Sequence, residues 1–408
     1  MRQQELIPHL FRTEYRKIIS VLCKRFGFEQ MEMAEDITSD TFLAAAQVWG
    51  LNGLPENPVA WLYHVAKNKS KNFLKRDHVF EKKIAPELKS ESQYFDEQEI
   101  DLSPQNINDS QLQMMFTICD PSISAEAQIG LSLRILCGFG IDEIADAFLS
   151  NKETINKRLF RAREKLRDKK IKVELPDTSQ IESRLDNVLT TIYLLFNEGY
   201  YSLNQDHLIR KDLCLEAMRL CTMLVENKIT NKPSANALLS LMCFQASRLE
   251  ARMDKNGELV LYEDQDENLW NSDLISRGGY FLSQSSSGDR LSKYHIEAAI
   301  AFWSTQKSDT IEKWENVLKL YDQLLLFAYT PIVALNRMFV FSKVRGKESA
   351  IAETEKLNLT DNPFYYSLLG ELYKGWDSSK SKDNFKKALV LIRSESGKVV
   401  IQAKMTDL

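Results

Sequence analysis

Apolar residues recur every three to four positions along most of the chain, and glycine and proline are sparse, so the pattern predicts an all-α protein. The pattern falls into blocks. One periodic block occupies residues 1–77, and a polar, charged, weakly periodic stretch at 78–108 reads as a linker. A second periodic block fills 109–175, Pro176 marks a break, and a longer helical region runs over 176–408, with loops at Asn227–Ser234 and Ser283–Asp289. One place departs from helix. Asp254-Lys-Asn-Gly257, followed by Glu258-Leu-Val-Leu-Tyr262, predicts a tight turn with a small hairpin or an extended loop.

In the first block, Asn57-Pro58 predicts a helix start, because asparagine caps and proline suits the first helical position. Leu62, Val65, Ala66 and Phe73 then mark an apolar face. Opposite it, His64, Asn68, Asn72 and Arg76 recur every four residues, and Lys67, Lys71 and Lys75 form the adjacent stripe. Lysine and arginine hold phosphates, and asparagine reads base edges. Trp61, one turn in, offers a ring on which an unpaired base can stack. A solvated amphipathic helix, kept soluble by its lysines, accounts for the same pattern.

In the second block, residues 141–148 predict a short amphipathic helix with Ile141, Ile144, Ala145 and Phe148 inward. Leu149-Ser-Asn151 follows as a turn, Asn151 caps the next helix, and Thr154, Ile155 and Leu159 are expected to face inward. Small Ala145 permits the close crossing of a helix-turn-helix. From Lys152 to Lys172, ten lysines and arginines stand against three acidic residues. That is a local positive field that a surface helix of mixed signs does not carry.

These segments carry a resemblance. Ala34-Glu-Asp-Ile-Thr-Ser-Asp-Thr-Phe-Leu43 resembles the A-E-D pattern of sigma region 2, and Pro58, Ala60, Trp61, Leu62, Val65, Ala66, Lys67 and Asn68 resemble the pattern that follows it there. Glu143-Ile-Ala145, Thr154–Leu159 and Arg161–Leu166 are similar to sigma region 4. The chain thus resembles sigma-70-type RNA polymerase sigma factors of the extracytoplasmic-function group. Asp120–Ala127, Leu131–Arg134, Phe196–Tyr200 and Glu263–Asp266 resemble the subgroup with a long C-terminal extension.

The resemblance implies a region 2 domain at 1–77, a linker at 78–108, a helix-turn-helix region 4 domain at 109–175 and a tetratricopeptide-like helical repeat at 176–408. It places Asp36, Asp40, Phe42 and Leu43 on the polymerase, with core packing as the alternative role for Phe42 and Leu43. It places Asn57, Trp61, Lys67, Asn68, Lys71 and Asn72 at the −10 promoter element, and the stripe residues His64, Lys75 and Arg76 are expected to bind DNA beside them. Asn151, Lys152, Glu153, Asn156, Lys157, Arg158 and Arg161 fall at the −35 element, and Arg163 of the same basic run is expected to bind DNA as well. The implied partners are core RNA polymerase, through its beta-prime clamp and beta flap, and promoter DNA, with a regulatory protein or ligand at the C-terminal part. Leu149 stands where the family often has glycine, and leucine disfavours a positive φ, so the turn or the register of base contacts differs here.

Composition narrows the picture further. The net charge of −4 excludes a uniformly basic nucleic-acid coat, so DNA binding rests on the local basic helices. Cys23, Cys119, Cys137, Cys214, Cys221 and Cys243 form no C-x-x-C pair and sit in apolar runs, as buried reduced thiols do. The first residues lack a signal-peptide pattern, and no run of about eighteen apolar residues occurs, so a cytoplasmic protein with no membrane partner is expected. Asp254-Lys-Asn-Gly257 resembles part of a calcium loop but lacks its glutamate, so neither a metal nor a cofactor is expected. Tyr366, Leu369, Gly370, Tyr373, Phe385 and Ala388 resemble a tetratricopeptide helix pair, and Pro331–Leu357 resembles a second. No nucleophile–base pair or phosphate loop appears, so the expected activity is not enzymatic. The competing reading is a helix-turn-helix regulator with a repeat-type sensor, which would need only the second block.

Overall fold

Residues that end helices and polar groups that bridge them shape the N-terminal half. The computed structural model describes residues 3–84, 100–148, 150–200, 210–253, 260, 262–288, 290–306, 309–392 and 395–406. Among these residues every regular element is a helix. The chain divides into two units, 1–191 and 192–408.

The first unit begins with α1 (Gln3–Phe26), a 3-10 turn at Phe28–Gln30, α2 (Met31–Asn52) and α3 (Pro58–Ile84). Gly27 at φ 91° and Gly53 at φ 80° close α1 and α2, donating their amides to the carbonyls of Cys23 and Trp49 at 2.9 and 3.0 Å. α1 is central: it packs on α2, α3 and α4 (Pro104–Ile118). Its Tyr15, Ile18, Ile19 and Leu22 are buried, and so is Glu14. That carboxylate is satisfied by Lys17 at 2.8 Å and by the Tyr63 hydroxyl of α3 at 2.6 Å.

α4 starts inside the segment read as a linker. Ser103 caps it by accepting from the Asn106 amide, and Pro104 takes the first helical position. Its buried face completes the core begun by α1, and Lys24 donates to Asn106 at 2.9 Å. α5 (Ala125–Leu131) runs into a π turn at Ser132–Leu136, followed by α6 (Ile141–Ala147) and α7 (Lys152–Asp168). α8 (Ile181–Tyr200) crosses the unit border. Its first half belongs with α4 and α5: Arg184 meets Asp120 at 3.1 Å and the Phe116 carbonyl at 2.7 Å, and Thr191 donates to Gln128 at 2.8 Å. The first unit therefore extends beyond Pro176 to Thr191.

The second unit continues through α9 (Lys211–Glu226), α10 (Pro233–Ala246), α11 (Ser272–Ser285), α12 (Lys293–Trp303), α13 (Ile311–Phe327), α14 (Pro331–Arg345), α15 (Lys347–Lys356), α16 (Pro363–Tyr373), α17 (Ser378–Leu391) and α18 (Glu395–Thr406). Each helix packs mainly on near neighbours in sequence. α10 is buried without a break from Ala235 to Phe244, as a helix covered by α9, α11 and α12 must be.

Two crossings in this unit use one device. The Ser240 hydroxyl donates to the Gly278 carbonyl at 2.8 Å while Phe244 lies against the Gly278 Cα; Ser381 and Phe385 treat Gly370 the same way, with the hydrogen bond at 2.7 Å. A Cβ on either glycine would sit 2.7 Å from the phenyl ring. Leu369, Gly370, Tyr373, Phe385 and Ala388 are thus buried together between α16 and α17, with Tyr366 packed at the edge. Pro331–Leu357 forms the pair α14–α15.

The expected turn at Asp254–Gly257 and most of the strand after it lie outside the described residues. All six cysteines are buried and none forms a disulfide; burial pushes the Cys119 thiol up to about 11 and those of Cys214 and Cys243 to about 12. Among the described residues no helix is long and apolar enough to cross a membrane, and no group of three metal-ligating side chains occurs.

The glycine device makes a paired prediction. Gly278→Ala drives a methyl group into Phe244 and destabilises the protein by about 1–3 kcal/mol. Gly279→Ala, one residue on with nothing within 4 Å of the new Cβ, is neutral or stabilising by up to about 1 kcal/mol. Urea unfolding of the two variants against the parent chain measures the contrast.

Candidate polymerase and nucleic-acid interface

The α3 helix starts as its sequence predicts. Asn57 Oδ1 accepts from the Ala60 amide at 3.0 Å, so this asparagine caps the helix as well as standing at its exposed end. Leu62 and Ala66 are buried, whereas Val65 and Phe73 are half-buried. Trp61 packs edge-on against the buried Trp49 of α2 at 5.3 Å, so one side of its ring is core. His64 and Asn68 lie 2.9 Å apart, and with Lys71, Asn72 and Lys75 they form an exposed polar and basic strip. Lys67 is half-buried beside it, and the Arg76 side chain lies outside the described residues.

On α2, Asp36, Asp40 and Leu43 face outward, and Leu43 is 57% exposed. Val48, Leu51 and Leu54 extend this exposed apolar surface toward the loop before α3. Phe42 does not share it. At helical spacing it falls on the same side as Thr38, Ala45 and Trp49, and it is buried against Phe11, with ring centroids 5.1 Å apart. Its place is in the core, the alternative role expected for it, so the polymerase role expected of it is corrected to packing, while Asp40 and Leu43 stay exposed.

In α6 and α7 the local chemistry also follows from sequence. Gly140 donates its amide to Glu143 at 2.7 Å at the head of α6, and Asn151 caps α7 by accepting from the Thr154 amide at 2.8 Å. Ile144 and Ala145 are buried; Ile141 and Phe148 are half-buried. Leu149 lies outside the described residues. The buried stripe of α7 is Ile155, Leu159, Ala162 and Leu166. Thr154, expected inward, is exposed, because the capped first turn leaves its side chain on the outer side of that stripe. Gly130 of α5 comes so near α7 that a Cβ would sit 2.9 Å from Leu159.

The basic residues of α7 divide between two faces. Lys157, Arg158, Arg161 and Lys165, with Thr154, line an open cleft of about 410 Å³ against Ser124 and Ala127 of the α5 end. Lys152 pairs with Asp142 and Lys157 with Glu153, each at 2.6 Å, on exposed surface where such pairs add little stability. Arg158 lies over the Phe148 ring at 5.6 Å. The other face carries Asn156, Phe160, Arg163 and Arg167 and lines a second cleft of about 340 Å³ with Phe28, Glu29, Glu32 and Glu35. There Arg163 makes a bidentate bond to Glu35, with Nη1 at 2.9 Å and Nη2 at 2.8 Å. Arg134, swung out of the π turn, brings its Nε to 3.9 Å from the same carboxylate.

The Rhizobium meliloti (strain 1021) protein named "Uncharacterized protein R00370" is 31% identical to this chain over 389 residues, covering 93% of this chain and 91% of that protein. The chain belongs to one family with it. Residues 184–286 match a family of unknown function (DUF6596), and residues 10–78 match sigma-70 region 2. The chain is a sigma-70-family sigma factor. No solved structure matches it.

The region 2 match covers α2 and the described side chains of α3, and so contains the acidic helix, the Trp49–Trp61 contact and the exposed basic strip of this sigma factor. Sequence reasoning missed Glu35, Arg134 and Tyr63. Each acts through a partner distant in sequence, as Tyr63 does on Glu14 and Glu35 on Arg163, and no local spacing announces such a pair.

Replacing the α7 cap, Asn151→Ala, leaves the Thr154 amide without its acceptor and costs about 1 kcal/mol in urea unfolding. Asn151→Asp, which keeps the acceptor, retains most of that stability.

Proposed function

We propose that this sigma factor directs core RNA polymerase to promoters, reading the −10 element with α3 and the −35 element with α7. The observation that carries the reading is the presence, in one unit with the region 2 match, of a capped helix whose exposed side is basic and which follows a short helix and turn. That arrangement suits a helix-turn-helix in which the first turns of α7, with Lys152, Glu153, Asn156 and Lys157, reach bases while Arg158, Arg161 and Lys165 hold phosphates. On α3, His64, Asn68, Lys71, Asn72 and Lys75 follow the separated strand, with Trp61 at its head. Asp36, Asp40 and Leu43 meet the beta-prime clamp, and the region around α7 meets the beta flap. Such work needs binding energy and no covalent catalyst, in a protein of the extracytoplasmic-function group acting in the cytoplasm.

The second unit is proposed as a regulatory part in place of a separate anti-sigma factor. Its successive helix pairs, with the shared serine–glycine–phenylalanine crossings, suit a tetratricopeptide-like scaffold that binds a protein or ligand.

Two measurements test these assignments. Arg161→Ala and Lys71→Ala each weaken promoter binding by the polymerase complex across all sequences, and they lower the slope of log affinity against log salt by roughly 0.9 for Arg161 on duplex and roughly 0.7 for Lys71 on the separated strand. Unchanged salt slopes in both contradict the assignment. Deleting residues 201–408 keeps the Arg184 and Thr191 ties of the first unit intact, and it is expected to change promoter-directed output; unchanged output removes the regulatory role.

A further inference from the structure

The second unit holds a carboxylate whose own surroundings leave it half answered. Glu297, on α12, is hemmed in on most sides, and burial raises its carboxyl above the usual range. Its one hydrogen bond among the described residues comes from the Tyr193 hydroxyl of α8, at a long 3.3 Å. Lys293 stands one turn before it on the same helix, a spacing at which lysine and glutamate commonly pair. Here they do not. Among the described residues Lys293 makes no ion pair, and its ammonium lies over two rings instead, 4.4 Å from the Tyr193 centroid and 5.2 Å from that of Tyr294. Those ring centroids are 5.5 Å apart and the rings are tilted by 55°, so they make two walls of a corner.

Two more side chains complete the lining. Tyr321 of α13 has its hydroxyl pushed up to about 12, by burial first and then by the Glu297 charge, and Asn336 of α14 lies beside that hydroxyl. Burial and Glu297 raise the Tyr193 hydroxyl as well, so both tyrosines stay protonated donors. Glu297, Tyr193 and Tyr321 are closely surrounded yet only half-buried, and Asn336 is exposed. Groups that are crowded and still reached by solvent line a concave recess, not a sealed core.

We infer that this recess is a binding site for an organic cation, which pairs with Glu297 and displaces Lys293 from the Tyr193 and Tyr294 rings. The cation is a guanidinium or ammonium head, carried by a basic side chain or by a small amine. This rests on the reading of the second unit as a regulatory scaffold and names the chemistry that scaffold takes. A carboxylate already withdrawn from water, with one long hydrogen bond, gains from a cation set against it. Tyrosine faces attract cations, and the lysine lying on them shows that the corner admits one. A guanidinium suits it best, because its flat fork reaches both carboxylate oxygens while it lies on a ring. The same carboxylate disfavours an anion.

The test is a ligand-observed NMR titration of the full-length chain with arginine amide. Binding to the parent chain is expected. Glu297→Gln, which keeps the shape and removes the charge, is expected to weaken it at least about tenfold. Lys293→Met, which removes the resident cation, is expected to strengthen it about threefold or more. Circular dichroism and urea unfolding check that each variant is folded, and Lys293→Met alone decides the matter if Glu297→Gln does not fold. No binding to the parent, equal binding to the parent and Glu297→Gln, or unchanged or weaker binding to Lys293→Met overturns the site. A second titration with acetyl-Gly-Arg-Gly-amide distinguishes the two sources. Binding at least about tenfold tighter than that of arginine amide identifies a basic segment of a partner protein, and equal binding identifies a free amine. Reconstituted transcription with the tighter probe then separates the site from the reading beneath it. Unchanged output with binding intact refutes the regulatory role and leaves the site standing.

Discussion

The first unit closes on the buried face of α1, which packs on α4 and the π turn, and Glu35 adds a charged bridge at its edge. Glu35 sits on the acidic helix, half withdrawn from water, and a charge in that position requires cations with good geometry. Arg163 supplies two hydrogen bonds and Arg134 adds charge at the edge. Removing either partner of a pair so placed costs on the order of 2 kcal/mol, because the survivor stays partly buried without compensation. The consequence reaches beyond stability. Glu35 meets Arg163 of α7, and two blocks that look independent in sequence pack as one unit, chiefly through α1 on α4 and the π turn.

That union rests first on the burial of α4 on α1. The sequence reading placed the second block after residue 108 because the preceding stretch is polar, yet Ser103-Pro104 is itself a helix-start signal and was legible as one. Helix positions were otherwise readable from local chemistry: the caps at Asn57 and Asn151, and Ile155 and Leu159 in the buried stripe of α7. Side-chain direction was less so. Phe42 and Leu43 are adjacent and both apolar, and only the packing of Phe11 and Tyr15 decides which one points inward. Trp61 could serve a base or the core, and Trp49, twelve residues earlier, takes one side of its ring. The Glu35–Arg163 pair spans 128 residues, a separation that no periodicity in one sequence encodes.

The second unit follows simpler rules. Contacts between near neighbours build it, so its helical character and its last helix pairs were legible from periodicity while the crossings were not. The crossings depend on where a glycine lets a phenylalanine lie against a backbone, and two sites far apart in sequence solve that problem with the same three residue types. This repetition gives the unit an internal logic that a scan for a fixed repeat length detects only in part.

The most direct measurement is reconstituted transcription: bacterial core RNA polymerase, a library of promoter DNA, and the full-length chain present or absent. The account predicts that defined start sites appear only when the chain is present and that the selected sequences share two separate elements, one near −10 and one near −35. A chain that binds duplex DNA alone, does not associate with core polymerase and yields no starts would contradict it.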